Sequence, residues 1–331
     1  MEGGSNIISI DNLCIGYSAG RRSGILLPPL SGCAVKGEMV AVIGRNGIGK
    51  STLLKSLTGS IAPLGGSIKI SQKKIEDYSR SELARKIGYI STESVKVTNM
   101  KVYDLVALGR YQHTNWIGTI DQTSNESILR AMQIAGISHL KERFITELSD
   151  GERQRTMIAM VLAQDTDILI MDEPTAYLDV AGRYEMIHLM QELTRHGKTI
   201  IFSTHDFNIA VSQSDKIWLI LESGLVEGAP EDLIMDGHLG KLFEASPVKF
   251  DPADGSFSFR TDKERSIYSE GDSAGRFWFE KALIRTGFGI SSSKTDPFIR
   301  FSENIAGCEL VSHNKVISCR SVYELTAYLK R

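Results

Sequence analysis

At 331 residues the chain has room for one large hydrophobic core, or for a large and a small one. Its 38 basic and 40 acidic side chains leave a formal charge of −2, which gives no footprint for a polyanion, so nucleic acid is not expected as a partner. No apolar run approaches the roughly 18 residues of a membrane helix, and residues 1–6 have neither a basic nor an apolar leader-like stretch, so a cytoplasmic protein that forms no pore by itself is expected.

Residues 7–10 and 12–15 have the alternation of antiparallel strands and lead to Tyr17. An aromatic there either offers its face to an adenine ring or belongs to the core. Turns and short strands are expected over 25–40, and Met39-Val40-Ala41-Val42-Ile43 is apolar and β-branched enough for a buried strand. It runs into Gly44-Arg45-Asn46-Gly47-Ile48-Gly49-Lys50-Ser51-Thr52, after which Leu53, Leu54 and Leu57 fall at helical spacing. Strand, GxxxxGK[ST] turn and helix together specify a triphosphate cradle. Gly47 and Gly49 let successive N–H groups converge on phosphate oxygens at the positive end of the helix dipole. Lys50 supplies a point charge, and the Ser51 hydroxyl is a hard ligand for Mg²⁺.

A further strand is expected at 67–70 and a short helix at 81–85 capped by Ser81. Residues 92–165 change character. Helix-like spacing at 102–108, 126–135 and 137–144 without a strand between them suggests a helical insertion into the α/β core. Its Tyr111, Trp116 and Ile117 form either an exposed docking patch or the insertion's own core. Leu148-Ser149-Asp150-Gly151-Glu152 follows, with a helix from about 151 to 164 and Ser149 or Asp150 as its N-cap. Two apolar strands are then expected, 168–171 ending in Asp172-Glu173-Pro174 and 199–203 ending in Thr204-His205-Asp206. Carboxylates at the carboxyl end of a buried parallel strand stand where α/β sheets bind ligands.

The tail carries a hairpin around Asp254-Gly255. Beyond the charged stretch 261–265 a small α/β unit is expected, with strands near 267 and 298–301 and a helix over 273–285. A hairpin over 308–319 and a helix capped by Ser321 with Glu324 complete it. Cys14, Cys33, Cys308 and Cys319 lack metal-ligand spacing and read as reduced thiols. A turn at His313-Asn314 would put Cys308 opposite Cys319 as two small residues on a core face.

These motifs in this order resemble the ATPase subunit of ATP-binding cassette (ABC) transporters over about residues 5–245. Walker A is 44–51, the signature 148–152, Walker B 168–172 followed by Glu173, the D-loop 176–179, and the switch histidine His205. The short sequences Ala107-Leu108-Gly109-Arg110 and Thr175-Ala176-Tyr177-Leu178-Asp179 look most like importers for iron–siderophore complexes, haem and cobalamin. The resemblance implies a P-loop NTPase core with an antiparallel β subdomain and a helical subdomain over 92–165. An ABC domain over 1–260 and a small accessory domain over 261–331 are expected.

The resemblance also implies roles. Tyr17 stacks on adenine; Gly44, Asn46, Gly47, Gly49, Lys50, Ser51 and Thr52 hold ATP; Ser51 and Asp172 hold Mg²⁺. Glu173 activates water and His205 contacts the γ-phosphate. Ser149, Gly151 and Asp179 of a second copy complete the site in a head-to-tail homodimer at the cytoplasmic face of the inner membrane. That dimer would drive two permease subunits and, through them, serve a substrate-binding protein. Two positions depart from the family pattern. Thr92 stands where a Gln is usual, with Glu93 next, which implies a retuned magnesium shell. Asp150 replaces a Gly in the signature and is expected to point away from the phosphate. A soluble ABC ATPase and a regulatory module impaired in hydrolysis are the competing interpretations.

Overall fold

The computed structural model describes residues 6–19, 22–92, 99–113, 121–244, 246–252, 255–259, 265–271, 275–301, 307–313 and 315–330. Two compact units make up the chain, Met1–Leu242 and Phe243–Arg331.

The first unit is built on a six-stranded sheet in the order Gly224–Gly228, Lys216–Leu221, Met39–Gly44, Thr199–Ser203, Ile168–Met171, Ile87–Ile90. All neighbours are parallel except the edge strand Gly224–Gly228. Side chains alternate between two cores, as the period of a strand requires. Val40, Val42, Ile168, Ile170, Ile201 and Trp218 enter one, while Met39, Ala41, Ile43, Leu169, Ile200 and Phe202 enter the other. Burial on both faces explains why these strands read as unbroken apolar runs.

The first core is closed by Leu53, Leu54 and Leu57 of the helix Lys50–Leu57, and by a four-stranded antiparallel sheet ordered Leu30–Val35, Asn6–Cys14, Gly65–Ile70, Lys73–Lys74. The second is closed by Met186, Ile187 and Met190 of the helix Val180–Arg195, with Ile158 and Val161 of Asp150–Ala163. The parallel strands thus bring the residues following Ile43, Met171 and Phe202 to one edge of the sheet, where such folds bind ligands.

The helical insertion packs Val102–Ala107, Gln122–Ile134 and Asp150–Ala163 around Val106, Ile128, Met132 and Ala159. Two local expectations need correction. Residues 137–144 hold only the 3-10 turn Ser138–Leu140, because Gly136 at φ 73° ends the preceding helix and reverses the chain. The short helix before the strand Ile87–Ile90 is Arg80–Ala84, and its cap is Ser79. Glu82 stands three residues after Ser79, so a reciprocal capping box forms there and not at Ser81. Tyr111 is 76% exposed, whereas Trp116 and Ile117 lie outside the described residues.

The second unit contains a five-stranded sheet ordered Phe288–Ser291, Arg265–Glu270, Phe298–Arg300, Cys308–Ser312, Lys315–Cys319. The first three strands are parallel and the last two antiparallel. Helices Arg276–Arg285 and Val322–Leu329 supply Phe279, Leu283 and Leu325 to a core shared with Ile267, Ile299 and Leu310. Ser321 caps the last helix by accepting the Glu324 N–H, and Cys308 faces Cys319 across the hairpin with both buried. The strand Phe288–Ser291 has no counterpart in the sequence-based expectation. Strands Val248–Phe250 and Phe257–Phe259 group with this unit, ahead of the expected boundary at 260. The rings of Phe243, Phe250 and Phe257 pack together at 5.0–6.2 Å between centroids and join these strands to Phe243.

Candidate functional site

The glycine turn after Met39–Gly44 holds Gly47 at φ 76° and Gly49 at φ 114°, both in the left-handed region that side chains avoid. Gly49 is also the N-cap of Lys50–Leu57, so the turn delivers the chain directly into the helix start, where unpaired N–H groups favour an anion. Thr52 is buried, while Asn46 and Ser51 are exposed at the mouth of the turn. Lys50 is only 6% exposed, and its Nζ donates to the Gly44 carbonyl at 2.9 Å and the Arg45 carbonyl at 3.3 Å. Burial draws the Lys50 ammonium below the usual lysine range, and the charges of Glu173 and then Asp172 oppose that shift. A buried cation among neutral carbonyls is a strong attractor for phosphate oxygens.

Beside it, the strands Ile168–Met171 and Thr199–Ser203 end together. Asp172 is 5% exposed, and its backbone N–H donates to the Ile90 carbonyl at 2.8 Å. Ser203, fully buried, donates its hydroxyl to Asp172 Oδ1 at 2.6 Å and accepts the Glu173 N–H at 2.9 Å. Glu173 sits at φ 51°, a conformation that costs a non-glycine residue about 1–3 kcal/mol and persists only where surroundings impose it. Its Oε1 lies 2.6 Å from Nε2 of His205. Both side chains line a cleft of about 360 Å³ together with Thr175, Thr204 and Asp206. Thr92 Oγ1 donates to the main-chain carbonyl of Asp172 at 3.2 Å. Glu93 falls outside the described residues.

The exposed hydroxyl of Ser51 and the carboxylate of Asp172 are hard oxygen donors. Among the described residues no group of three or more His, Cys, Asp or Glu side chains is arranged to hold a metal. Such a sparse donor set suits Mg²⁺, which takes one or two protein oxygens and draws the rest from phosphates and water.

The remaining sequence-predicted residues occupy helix starts. Ser149 caps Asp150–Ala163: its Oγ accepts the Glu152 N–H at 3.3 Å, and Glu152 Oε2 accepts the Ser149 N–H at 2.8 Å. The Ser149 N–H, and then its hydroxyl at 3.0 Å, both donate to Glu152 Oε2 and hold that carboxyl below the usual carboxylate range. Asp150 opens the helix with Oδ1 2.9 Å from Arg153 Nη1, and Gly151 follows it within the first turn. Asp179 caps Val180–Arg195, accepting the Gly182 N–H at 2.8 Å. Tyr17 lies in the strand Gly16–Ala19, and its side chain is not among the described atoms. Ser203 is the member that sequence reasoning passed over. Its signal was a small polar residue at a position where strand alternation demands a core side chain, next to an Asp-bearing strand.

Residues 27–176 match the family model described as ABC transporter, and residues 264–330 match the one described as iron ABC transporter C-terminal domain. The ferric enterobactin transport ATP-binding protein FepC of Escherichia coli is 37% identical over 200 residues, 60% of this chain and 74% of that protein. The iron(3+)-hydroxamate import ATP-binding protein FhuC of Bacillus subtilis is 33% identical over 242 residues, 72% of this chain and 88% of its own length. Among solved structures, cbiO1 from Clostridium perfringens, part of the ABC transporter complex cbiONQ, superposes with a TM-score of 0.61 at 29% identity, covering 73% of this chain and 95% of that one.

Proposed function

Because the chain belongs to the ATP-binding subunits of ABC transporters, we propose that it hydrolyses ATP to drive an importer for iron–siderophore complexes. The observation that carries the catalytic part is the meeting, at one sheet edge, of a buried Lys50 in a glycine turn with Asp172, Glu173 and His205. The cargo rests on the FepC and FhuC relatives and on the match of residues 264–330, which together favour an iron chelate over haem or cobalamin.

In this mechanism the Lys50 ammonium leaves its carbonyl partners for the β and γ phosphates, and the N–H groups from Gly47 to Thr52 take the phosphate oxygens. Tyr17 stacks on the adenine. Ser51 and Asp172 would hold Mg²⁺, which when bound neutralises charge on the β and γ phosphates, with Thr92 and Glu93 adjusting its surroundings. Glu173 orients a water and accepts its proton as the oxygen attacks the γ-phosphorus and the bond to the bridging oxygen of ADP breaks. His205 fixes the Glu173 carboxylate from one side and faces the γ-phosphate from the other. Ser149 and the helix start at Gly151, with Asp179 at the seam, come from a second copy closing head to tail. Asp150 does not oppose this closure, because Arg153 compensates its charge.

Among the described residues no helix is long and apolar enough to cross a membrane. In this reading the permease is a separate pair of subunits, and this chain docks on it at the cytoplasmic face. A substrate-binding protein would be coupled through that permease. A soluble ABC ATPase or a regulatory module that no longer hydrolyses is not favoured, since the named relatives are transport subunits.

The test uses purified protein with its co-expressed permease in vesicles. Glu173→Gln is expected to lower Mg²⁺-dependent turnover about 10²–10⁴-fold, the range for a lost general base, while ATP still closes the dimer. Uptake of a ferric siderophore should follow turnover. A Glu173→Gln protein that stays monomeric with ATP, Mg²⁺ and permease would overturn the proposal.

A further inference from the structure

We infer that Ser203 is a positioning residue for hydrolysis, one hydroxyl that locks the carboxylate of Asp172 and the backbone of Glu173 into a single presentation. This rests on the ATPase reading above and extends it to a residue that touches neither nucleotide nor metal.

Ser203 ends the strand Thr199–Ser203. The parallel register Phe202↔Met171 sets the next residues, Ser203 and Asp172, side by side. On the other flank Ser203 pairs with Val42, in the strand that feeds the phosphate turn. Alternation puts its side chain on the face of Ile201, in the core beneath the helix Lys50–Leu57, and it is 0% exposed. A hydroxyl at such a place is costly unless both its proton and a lone pair are used, and here both are. The proton goes to Asp172 Oδ1 at 2.6 Å, a short charge-assisted bond, and the lone pair accepts the Glu173 N–H at 2.9 Å.

The consequence falls on two groups at once. Pinning Oδ1 fixes the rotamer of the buried Asp172 carboxylate. Accepting the Glu173 N–H holds a residue whose φ of 51° would otherwise relax and carry its carboxylate away from His205. Thr92 and Ile90 secure the same segment from the neighbouring strand, through the carbonyl and N–H of Asp172. None of those contacts reaches the Asp172 carboxylate, whereas the Ser203 hydroxyl does. An alanine would fill the strand but free the carboxylate and orphan a buried N–H.

Three full-length variants test this, each assayed for ATP affinity with and without Mg²⁺, for turnover against Mg²⁺ concentration, and for thermal midpoint. In Ser203→Ala, affinity in EDTA should match wild type, while the gain on adding Mg²⁺ and the kcat should each fall about tenfold, the scale of one lost hydrogen bond to a charged group, with KM for MgATP rising in step with the lost gain. Ser203→Thr keeps the hydroxyl and should restore both. Ser203→Cys gives the same comparison with a weak donor should the alanine protein not fold. Magnesium dependence and kcat overlaying wild type in Ser203→Ala or Ser203→Cys would overturn the inference, whatever the thermal midpoint does. So would a threonine variant as impaired as alanine, since packing would then be the cause. Absence of hydrolysis in the wild type would remove the ATPase reading yet leave the Mg²⁺-dependent binding comparison intact, so the two failures are separable.

Discussion

Two passages of this chain share one local design. In the first unit the strand Met39–Gly44 turns through Gly47 and Gly49 into the helix Lys50–Leu57. In the second, Arg265–Glu270 turns at Gly271 into the helix Arg276–Arg285, and the parallel strand Phe288–Ser291 follows. Each puts a basic residue at the first helical position. Lys50 is buried, and the hydrogen bonds found for its Nζ go to two neutral carbonyls. Arg276 instead folds back on its own turn. Its Nε donates to Glu280 Oε1 at 2.8 Å, Nη1 to the Gly271 carbonyl at 2.7 Å, and Nη2 to Ser269 Oγ at 3.0 Å, while Ser269 Oγ donates to the same Glu280 oxygen at 2.6 Å. The guanidinium is thereby neutralised by a carboxylate from within. A glycine turn and a helix start alone do not make an anion site; the pull on an anion is stronger where the buried cation beside them is hydrogen-bonded to neutral carbonyls than where it is paired with a carboxylate.

The strongest way to break that comparison is to remove both cations. Lys50→Ala is expected to abolish ATP retention and cut turnover by at least about 10²–10³-fold, the loss typical of one preorganised donor at a reacting centre. Arg276→Met should leave turnover at the wild-type level and lower stability by about 1–2 kcal/mol, because its partly exposed network supports a turn and holds no ligand. Calorimetric ATP titration alongside thermal melts of both variants gives the answer. Weakened ATP binding in Arg276→Met would mean that the second turn also serves an anion.

How far the sequence revealed each passage follows from the same physics. The cradle was legible because its function demands fixed residue types at fixed spacing, Gly44 through Thr52, and because Asp172-Glu173 and His205 end strands whose apolar runs announce burial on both faces. Ser203 was not, since a serine at a strand end looks like any other until the register sets it beside Asp172. The hairpin joining Cys308 to Cys319 and the cap at Ser321 were read from local turn and cap chemistry. The strand Phe288–Ser291 is hard to see in sequence because it is four residues long and carries a glycine, too short for its alternation to stand out before it pairs with Arg265–Glu270. The cap lies at Ser79 and not at the expected Ser81 because Glu82, three residues after Ser79, completes a capping box there. The packing of that hairpin on Phe243 rests on three phenylalanine rings that meet only in space.

The smallest expected effect contrasts the buried polar groups of the two units. In the first, the Lys50 ammonium is buried against neutral carbonyls. In the second, Cys308 and Cys319 are kept as neutral thiols. Burial and then the neighbouring Cys319 push the Cys308 thiol up to about 12, and burial followed by Glu324 raises Cys319 as well. A free cysteine in the unfolded chain titrates near 8.5–9, so between that pH and 12 the unfolded state gives up a proton that the folded unit retains. Stability from Cys308 is therefore complete below about pH 8.5 and declines as pH rises through the window, by about 1.4–2 kcal/mol at pH 10. Thermal melts from pH 8 to 10.5 should show this decline, and Cys308→Ala, which removes one of the two raised thiols, should make it shallower even though its melt at pH 8 starts lower. A slope unchanged in Cys308→Ala would show that alkaline loss comes from other groups, and that this hairpin does not hold its thiol against ionisation.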